Sequence, residues 1–253
     1  MNVVFIIGTA GSGKSLLTAT FAGWLKIAKQ ETICVNLDPG ALRLPYTPDV
    51  DIRDFVRIDD LMDKYDLGPN GALVMAADLI ADQIEVITRE VEEFSSDIVL
   101  VDTSGQMELF AFRASGPFIA SELTKRSKAI VYLFDSLFSL SPLNYVSNLF
   151  LSAAVYNRFL IPQIHVLSKI DMLEPKDVDT IVDWSAKPQA LELAIEEKLS
   201  GTRRLLSRNM MRAVYQLGLR FLLTPLSAKT NEGMLNLNMA LERVFTGGDQ
   251  YTY

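Results

Sequence analysis

Six short apolar runs punctuate the chain, at 3–7, 32–37, 98–101, 129–134, 163–167 and 221–226. They are apolar nearly throughout instead of alternating with polar positions, the pattern of strands covered on both faces. Between them apolar residues recur at helical spacing, as in 14–29 and 73–94. Strands alternating with helices predict an α/β fold, a doubly wound, mostly parallel sheet flanked by helices. Two segments hold more helix than one crossover needs: 54–94, and 175–218, which is rich in Glu, Lys, Arg and Leu and reads as a lid. At 253 residues the chain is expected to form one domain, 1–253, carrying these two helical insertions. The closing GGDQYTY is expected to fray.

The most apolar stretch, 129–167, is broken by Asp135, Pro142, Asn144 and Arg158, so it lacks the roughly 18 uninterrupted apolar residues of a membrane span. It divides into strand, helix and strand. The opening MNVVFII has no charged leader and reads as a first strand, not a signal peptide. A soluble, cytoplasmic protein is expected, with no membrane partner. The net charge of −7 argues against a broad nucleic-acid footprint. Cys34, the single cysteine, lies in the apolar TICVNL and is expected to be a buried thiol. His165, the single histidine, lies inside an apolar strand and is expected to pack in the core. The pairs Lys125-Arg126 and Arg203-Arg204 read as solvated helix faces.

GTAGSGKS, residues 8–15, changes the picture. It fits G-x-x-x-x-G-K-[ST] between a strand and a helix, the context in which that loop cradles phosphates. Gly8, Ala10, Gly11, Ser12 and Gly13 would turn backbone N–H groups toward a polyphosphate. Lys14 would reach its terminal phosphates, and Ser15 could ligate Mg²⁺. Such a site needs carboxylates near the metal. Asp102 in VLVDTSGQ and Asp38 in VNLDPG both follow apolar strands, where ligands gather in doubly wound sheets. Each is a candidate for holding Mg²⁺ or water. Gly105 could offer its N–H to a γ-phosphate, and Gln106 could orient an attacking water.

The base is addressed by two later motifs. SKID places Lys169 and Asp171 after a strand, similar to the [NT]-K-x-D motif of GTPases with serine at the first place. A carboxylate can accept both guanine N1–H and N2–H, a donor pair that adenine lacks, while the Lys169 stem can cover the ring. PLSAKT adds Ser227 and Ala228, similar to the S-A-K motif that meets guanine O6. GTP or GDP is therefore the expected ligand, with Mg²⁺.

In DLGPNGAL, Gly68, Pro69 and Asn70 alone would pass for a helix-to-helix turn. With GTAGSGKS, NLDPG, GPNGAL, DTSGQ, SKID and PLSAK in this order, the chain resembles the GPN-loop GTPases of archaea and eukaryotes along nearly its whole length. The resemblance implies a homodimer in which the Gly68-Pro69-Asn70 loop of each copy reaches the other's nucleotide, and a change of shape between GTP and GDP states. It also suggests, by analogy, a protein client such as RNA polymerase or another assembly. An Asn amide carries two donors and an acceptor, so Asn70 could bridge a γ-phosphate oxygen and the attacking water without adding charge. The catalytic set expected is Lys14, Asp38, Asn70, Asp102 and Gln106. Three rival readings remain. A deviant-P-loop ATPase typically carries a second lysine early in the loop, where this chain has Thr9. A kinase would transfer phosphate to an acceptor, and an assembly factor would hydrolyse nucleotide only incidentally.

Overall fold

The structure is a computed structural model and describes residues 1–219 and 221–247. It has the doubly wound parallel α/β architecture expected from the sequence, and contacts divide the chain into two compact units, Met1–Ile130 and Val131–Tyr253.

The first unit orders its strands β3-β2-β4-β1, with β1 at Asn2–Gly8, β2 at Thr32–Asn36, β3 at Val50–Asp51 and β4 at Ile98–Asp102. All pairings are parallel, and β4 lies between β1 and β2, with Ile6 and Asn36 both in register with Asp102. Val3 to Ile7 and Val99 to Val101 are fully buried or nearly so, as strands covered on both faces must be. The register brings the carboxyl ends of β1, β2 and β4 to one edge, and there the loops carrying Gly8, Asp38 and Gly105 begin.

Helix α1, Lys14–Ile27, follows β1. The 54–94 insertion becomes a short 3₁₀ turn at Ile52–Asp54 and three helices: α2 at Ile58–Tyr65, α3 at Pro69–Asp82 and α4 at Ile84–Glu93. Two expectations are corrected here. The helix read as 73–94 begins earlier and breaks at Gln83, whose φ of −92° and ψ of 0° leave the helical range without any Gly or Pro to announce it. The start at Pro69 does have a sequence cause. Proline at the first helical position gives up an N–H that would go unpaired anyway, and it forces Gly68 into the extended conformation seen there (ψ 166°). Strand β3 is too short to have been read from apolar periodicity. Helices α5, Met107–Ala111, and α6, Ser115–Glu122, complete this unit.

The second unit orders its strands β5-β6-β7, with β5 at Lys128–Asp135 crossing the boundary, β6 at Gln163–Ser168 and β7 at Leu223–Pro225. Helix α7, Ser136–Ser139, leads into α8, Pro142–Phe159, as strand, helix and strand predict. The 175–218 insertion is three helices: α9 at Pro175–Ala186, α10 at Pro188–Lys198 and α11 at Gly201–Gln216. Helices α8, α9 and α10 repeat the device of α3, each opening on proline. Helix α12, Met234–Phe245, is the last. The expected fraying of GGDQYTY falls, after Gly247, outside the described residues. Among those described, no helix is long and apolar enough to cross a membrane.

Candidate functional site

The loop after β1 turns through Gly11 (φ 74°) and Gly13 (φ 98°), left-handed conformations that a side chain would strain, and Gly13 caps α1. Gly8, Ala10, Ser12 and Ser15 occupy this turn and the first residues of α1. Lys14 is 5% exposed, and its Nζ donates to the carbonyls of Gly8 (2.9 Å) and Thr9 (3.1 Å) and approaches that of Gly105 at 3.5 Å. Burial lowers its pKa, against the opposing pull of Asp102, Asp38 and Glu108. The ammonium thus rests on backbone carbonyls, within the electrostatic reach of the carboxylates at the strand ends.

Asp38 follows β2, and both its carboxylate oxygens accept backbone amides: Oδ1 from Gly40 at 3.0 Å and Oδ2 from Gly105 at 2.8 Å. Asn36 accepts the Asp38 N–H at 3.0 Å and donates to Asp51 Oδ1 at 2.9 Å. Asp51 in turn binds Arg53, whose Nη1 donates to the Ala41 carbonyl at 2.7 Å. This chain of bonds braces the Asp38 loop from below. Gly40 lies close to α3: a Cβ there would sit 2.7 Å from Leu73 Cδ2, so the leucine tip would have to move aside for any larger residue.

Asp102 is fully buried at the end of β4. Its Oδ2 accepts the Tyr46 hydroxyl at 3.0 Å, while Oδ1 is buried and has no hydrogen-bond partner among the described residues. Burial pushes its carboxyl up to about 6, and the Ser15 and Tyr46 hydroxyls and Lys14 pull it back. Lys14, Ser15, Asp38, Asp102 and Gly105 therefore come together. Gln106 is close in sequence but exposed, capping α5 with its backbone. Asn70 is exposed at the second position of α3, and no hydrogen bond among the described residues joins it to that group.

The base-side motifs meet in the second unit. Ser227 is fully buried and donates through Oγ to Asp171 Oδ1 at 2.6 Å, while accepting the amides of Lys229 and Thr230 at 3.2 Å each. Asp171 itself is exposed, one oxygen anchored, and Ala228 follows Ser227 in the same turn. Lys169 takes a left-handed φ of 60°, and its Nζ binds Asp135 Oδ2 at 2.6 Å. The Ser168 hydroxyl donates to the Phe134 carbonyl at 3.2 Å, which fixes the loop's origin.

Sequence reasoning missed Tyr46, Asn36, Asp51, Arg53 and Asp135. Asn36, Asp51 and Asp135 each end a strand, the signal that singled out Asp102. Tyr46 lies in an irregular loop and gave no signal. Cys34 and His165 are buried as expected, and burial pushes the Cys34 thiol up to about 12, where it is inert.

Mg²⁺ fits this donor set. Ser15 and Asp102 offer hard oxygen ligands, and one Asp102 oxygen is buried without a partner. Asp38 suits direct ligation less, because amides occupy both its oxygens. No cluster of three or more His, Cys, Asp or Glu side chains able to hold a metal occurs among the described residues. The ion would therefore rely on phosphate and water oxygens as well, which is ordinary for Mg²⁺.

A family model described as "Conserved hypothetical ATP binding protein" matches residues 6–247. A GPN-loop GTPase of Pyrococcus abyssi is 32% identical, over 98% of this chain and 99% of its own. GPN-loop GTPase 1 of Saccharomyces cerevisiae is 30% identical over 78% of this chain, a match that spans 51% of the yeast protein. The chain likewise covers 43% of GPN-loop GTPase 1 of Dictyostelium discoideum. The crystal structure of a Pyrococcus abyssi GTPase in apo form superposes with a TM-score of 0.85 at 29% identity, covering 96% of this chain and 97% of that one. With six motifs in order, a matching fold and relatives similar along its whole length, the chain belongs to the GPN-loop GTPase family.

Proposed function

We propose that this chain binds GTP with Mg²⁺ and hydrolyses it to GDP and phosphate as a homodimer, each copy lending Asn70 to the other's site. The observation that carries the reading is the Gly105 amide held by Asp38 beside Lys14. It is a single N–H, placed where a P-loop site meets a γ-phosphate, resting on a protein carboxylate. A γ-phosphate oxygen is a competing anionic acceptor for the same amide. Its arrival would release the Asp38 carboxylate to accept a proton of the attacking water, with the exposed Gln106 orienting that water.

Lys14 and the loop amides neutralise the phosphates, and Ser15 with Asp102 would hold the metal, which adds positive charge where the transferred group gathers negative charge. Guanine is favoured by Asp171, whose Oδ1 is anchored by Ser227 so that the carboxylate is held ready for two ring donors. Asn70, exposed at the start of α3, is free of the catalytic cluster in its own copy, which suits service to a second one. A cytoplasmic switch acting on a protein client agrees with this chemistry.

Calorimetry with GTP and ATP, paired with a free-phosphate assay, tests the reading. Micromolar or tighter GTP binding, at least about 100-fold weaker ATP binding and Mg²⁺-dependent phosphate release are expected. A preference for ATP, the nucleotide named in the matching family description, would replace the guanine reading with an ATPase one. Phosphate transferred to an acceptor instead of water would make it a kinase.

A further inference from the structure

Tyr46 lies in the irregular stretch 37–49, and that stretch is tied down at several points. Leu37 N–H donates to the Asp102 carbonyl at 2.9 Å as the segment leaves β2. Arg53 Nη1 holds the Ala41 carbonyl at 2.7 Å. At the far end, Asp49 brackets Cys34: its N–H donates to the Cys34 carbonyl at 2.8 Å, and its Oδ2 accepts the Cys34 N–H at 2.7 Å. A long loop so anchored delivers its side chains with little freedom, and besides Asp38 it delivers the half-buried Tyr46 to the phosphate site. Phenylalanine would fill the same space. The hydroxyl is there for a partner, and the partner is Asp102 Oδ2 at 3.0 Å.

The two oxygens of Asp102 therefore have unlike surroundings. Oδ2 accepts the Tyr46 hydroxyl, while Oδ1, equally buried, has no hydrogen-bond partner among the described residues. The Ser15 hydroxyl lies close enough to the carboxylate to stabilise its charge. We propose that Tyr46 is a positioning residue of the nucleotide site: its hydroxyl locks the Asp102 carboxylate so that Oδ1 is presented, unpaired, to Mg²⁺ or to a water bound to it. A carboxylate able to rotate would lose that orientation, and outer partners of this kind typically govern metal affinity by 10–100-fold. The inference rests on the reading of this site as a Mg²⁺–guanine nucleotide site.

The test uses the full chain loaded with a fluorescent GDP analogue and measures nucleotide dissociation as Mg²⁺ is titrated, then in excess chelator. In Tyr46→Phe the Mg²⁺ concentration that half-maximally slows dissociation should rise at least about 10-fold. Dissociation in chelator should stay within about twofold of the parent, because Tyr46 touches the carboxylate and not the nucleotide. In an Asp102→Asn background the same change should shift the Mg²⁺ curve no further. Superimposable curves, or a curve displaced to lower Mg²⁺, would overturn the proposal; the latter would make Tyr46 a placeholder that the metal must evict. An equal shift in both backgrounds would also overturn it, by revealing a merely structural role. If the parent retains guanine nucleotide with no dependence on Mg²⁺, the underlying reading of the site falls, and the role of Tyr46 with it.

Discussion

The carboxylate of Asp38 holds the backbone amide of Gly105 at 2.8 Å, joining the loop after β2 to the loop after β4. The space between them is tight: a Cβ on Gly105 would stand 3.3 Å from Asp38 Oδ2. The same loop presses Gly40 against Leu73 in the first turns of α3, the helix that opens on Pro69 and Asn70. An anion that takes the Gly105 amide from Asp38 therefore loosens a loop in direct contact with the helix carrying the Gly-Pro-Asn sequence. Under the proposed mechanism, the loop that would answer a third phosphate touches, through Gly40 and Leu73, the helix that would lend Asn70 to a partner.

Replacing Asp38 with Asn tests this competition. The amide oxygen is a weaker acceptor than the carboxylate, so a γ-phosphate displaces it at lower cost. Charge-assisted hydrogen bonds contribute about 1.5–3 kcal/mol, so the ratio of GTP to GDP affinity should rise about 10-fold. Phosphate release should fall by at least about 10-fold, or 1.4 kcal/mol of barrier, if the Asp38 carboxylate accepts the water's proton as proposed. Calorimetry with both nucleotides and a single-turnover assay give the two numbers. An unchanged affinity ratio would mean that Asp38 and the γ-phosphate do not share the amide.

The motifs legible in the sequence were those in which residue type and order are fixed by backbone chemistry. Gly11 and Gly13 are required by positive φ, Lys14 by reach, and Asp102 by its place at a strand end, and all could be read before any fold was known. The six strands followed from continuous burial. What could not be read was support arriving from irregular chain. Tyr46 has no period, and its partner is 56 residues away. The Asn36–Asp51 link of the brace likewise joins residues whose proximity only the β2–β3 pairing creates. The break at Gln83 has no breaker in the sequence, so 73–94 read as one helix.

Asn70→Ala is expected to leave the fold intact, because the side chain is exposed at the second position of α3 and surface changes of this kind are typically within about 0.5 kcal/mol. GTP affinity should be nearly unchanged and turnover about 10-fold slower. A mixing experiment separates action on the neighbour from action at home. A Lys14→Ala copy has a crippled phosphate loop but an intact Asn70, and an Asn70→Ala copy has the reverse. If Asn70 serves the other copy, the mixture contains one complete site per mixed dimer and turns over faster than the two variants measured apart. A mixture no faster than their average would confine Asn70 to its own copy or remove it from the mechanism.

Asp171→Asn should leave the turn that carries it in place, because the Ser227 hydroxyl can still donate to the remaining side-chain oxygen and still accepts the Lys229 and Thr230 amides. The lost oxygen becomes an NH₂ group facing a base that also presents donors. GTP affinity should fall by at least about 100-fold while ATP affinity stays where it was, so the preference between the two largely disappears. Calorimetry reads both. Retained discrimination would move guanine recognition to other groups of the second unit.

His165 yields a pH dependence of stability with a definite sign. The ring is buried on β6, 4.8 Å from the Phe221 ring, and its Nε2 lies 3.0 Å from Gln163 Oε1. Burial lowers its pKa from 6.5 to about 3. Between these values the unfolded chain binds a proton that the folded chain refuses, so stability is fully present above pH 6.5 and declines as the pH falls toward 3. The slope approaches 1.4 kcal/mol per pH unit, which amounts to about 2 kcal/mol between pH 7.5 and 5. His165→Leu isolates the effect, because Ser152 Oγ also donates to Gln163 Oε1, at 3.2 Å, and keeps that acceptor paired when the imidazole is removed. Carboxylates titrate alike in both proteins. Urea unfolding across that pH range should therefore give a parent curve steeper than the variant's by about the stated amount. Parallel curves would show that the imidazole accepts a proton inside the folded core, with the strand paying nothing for it.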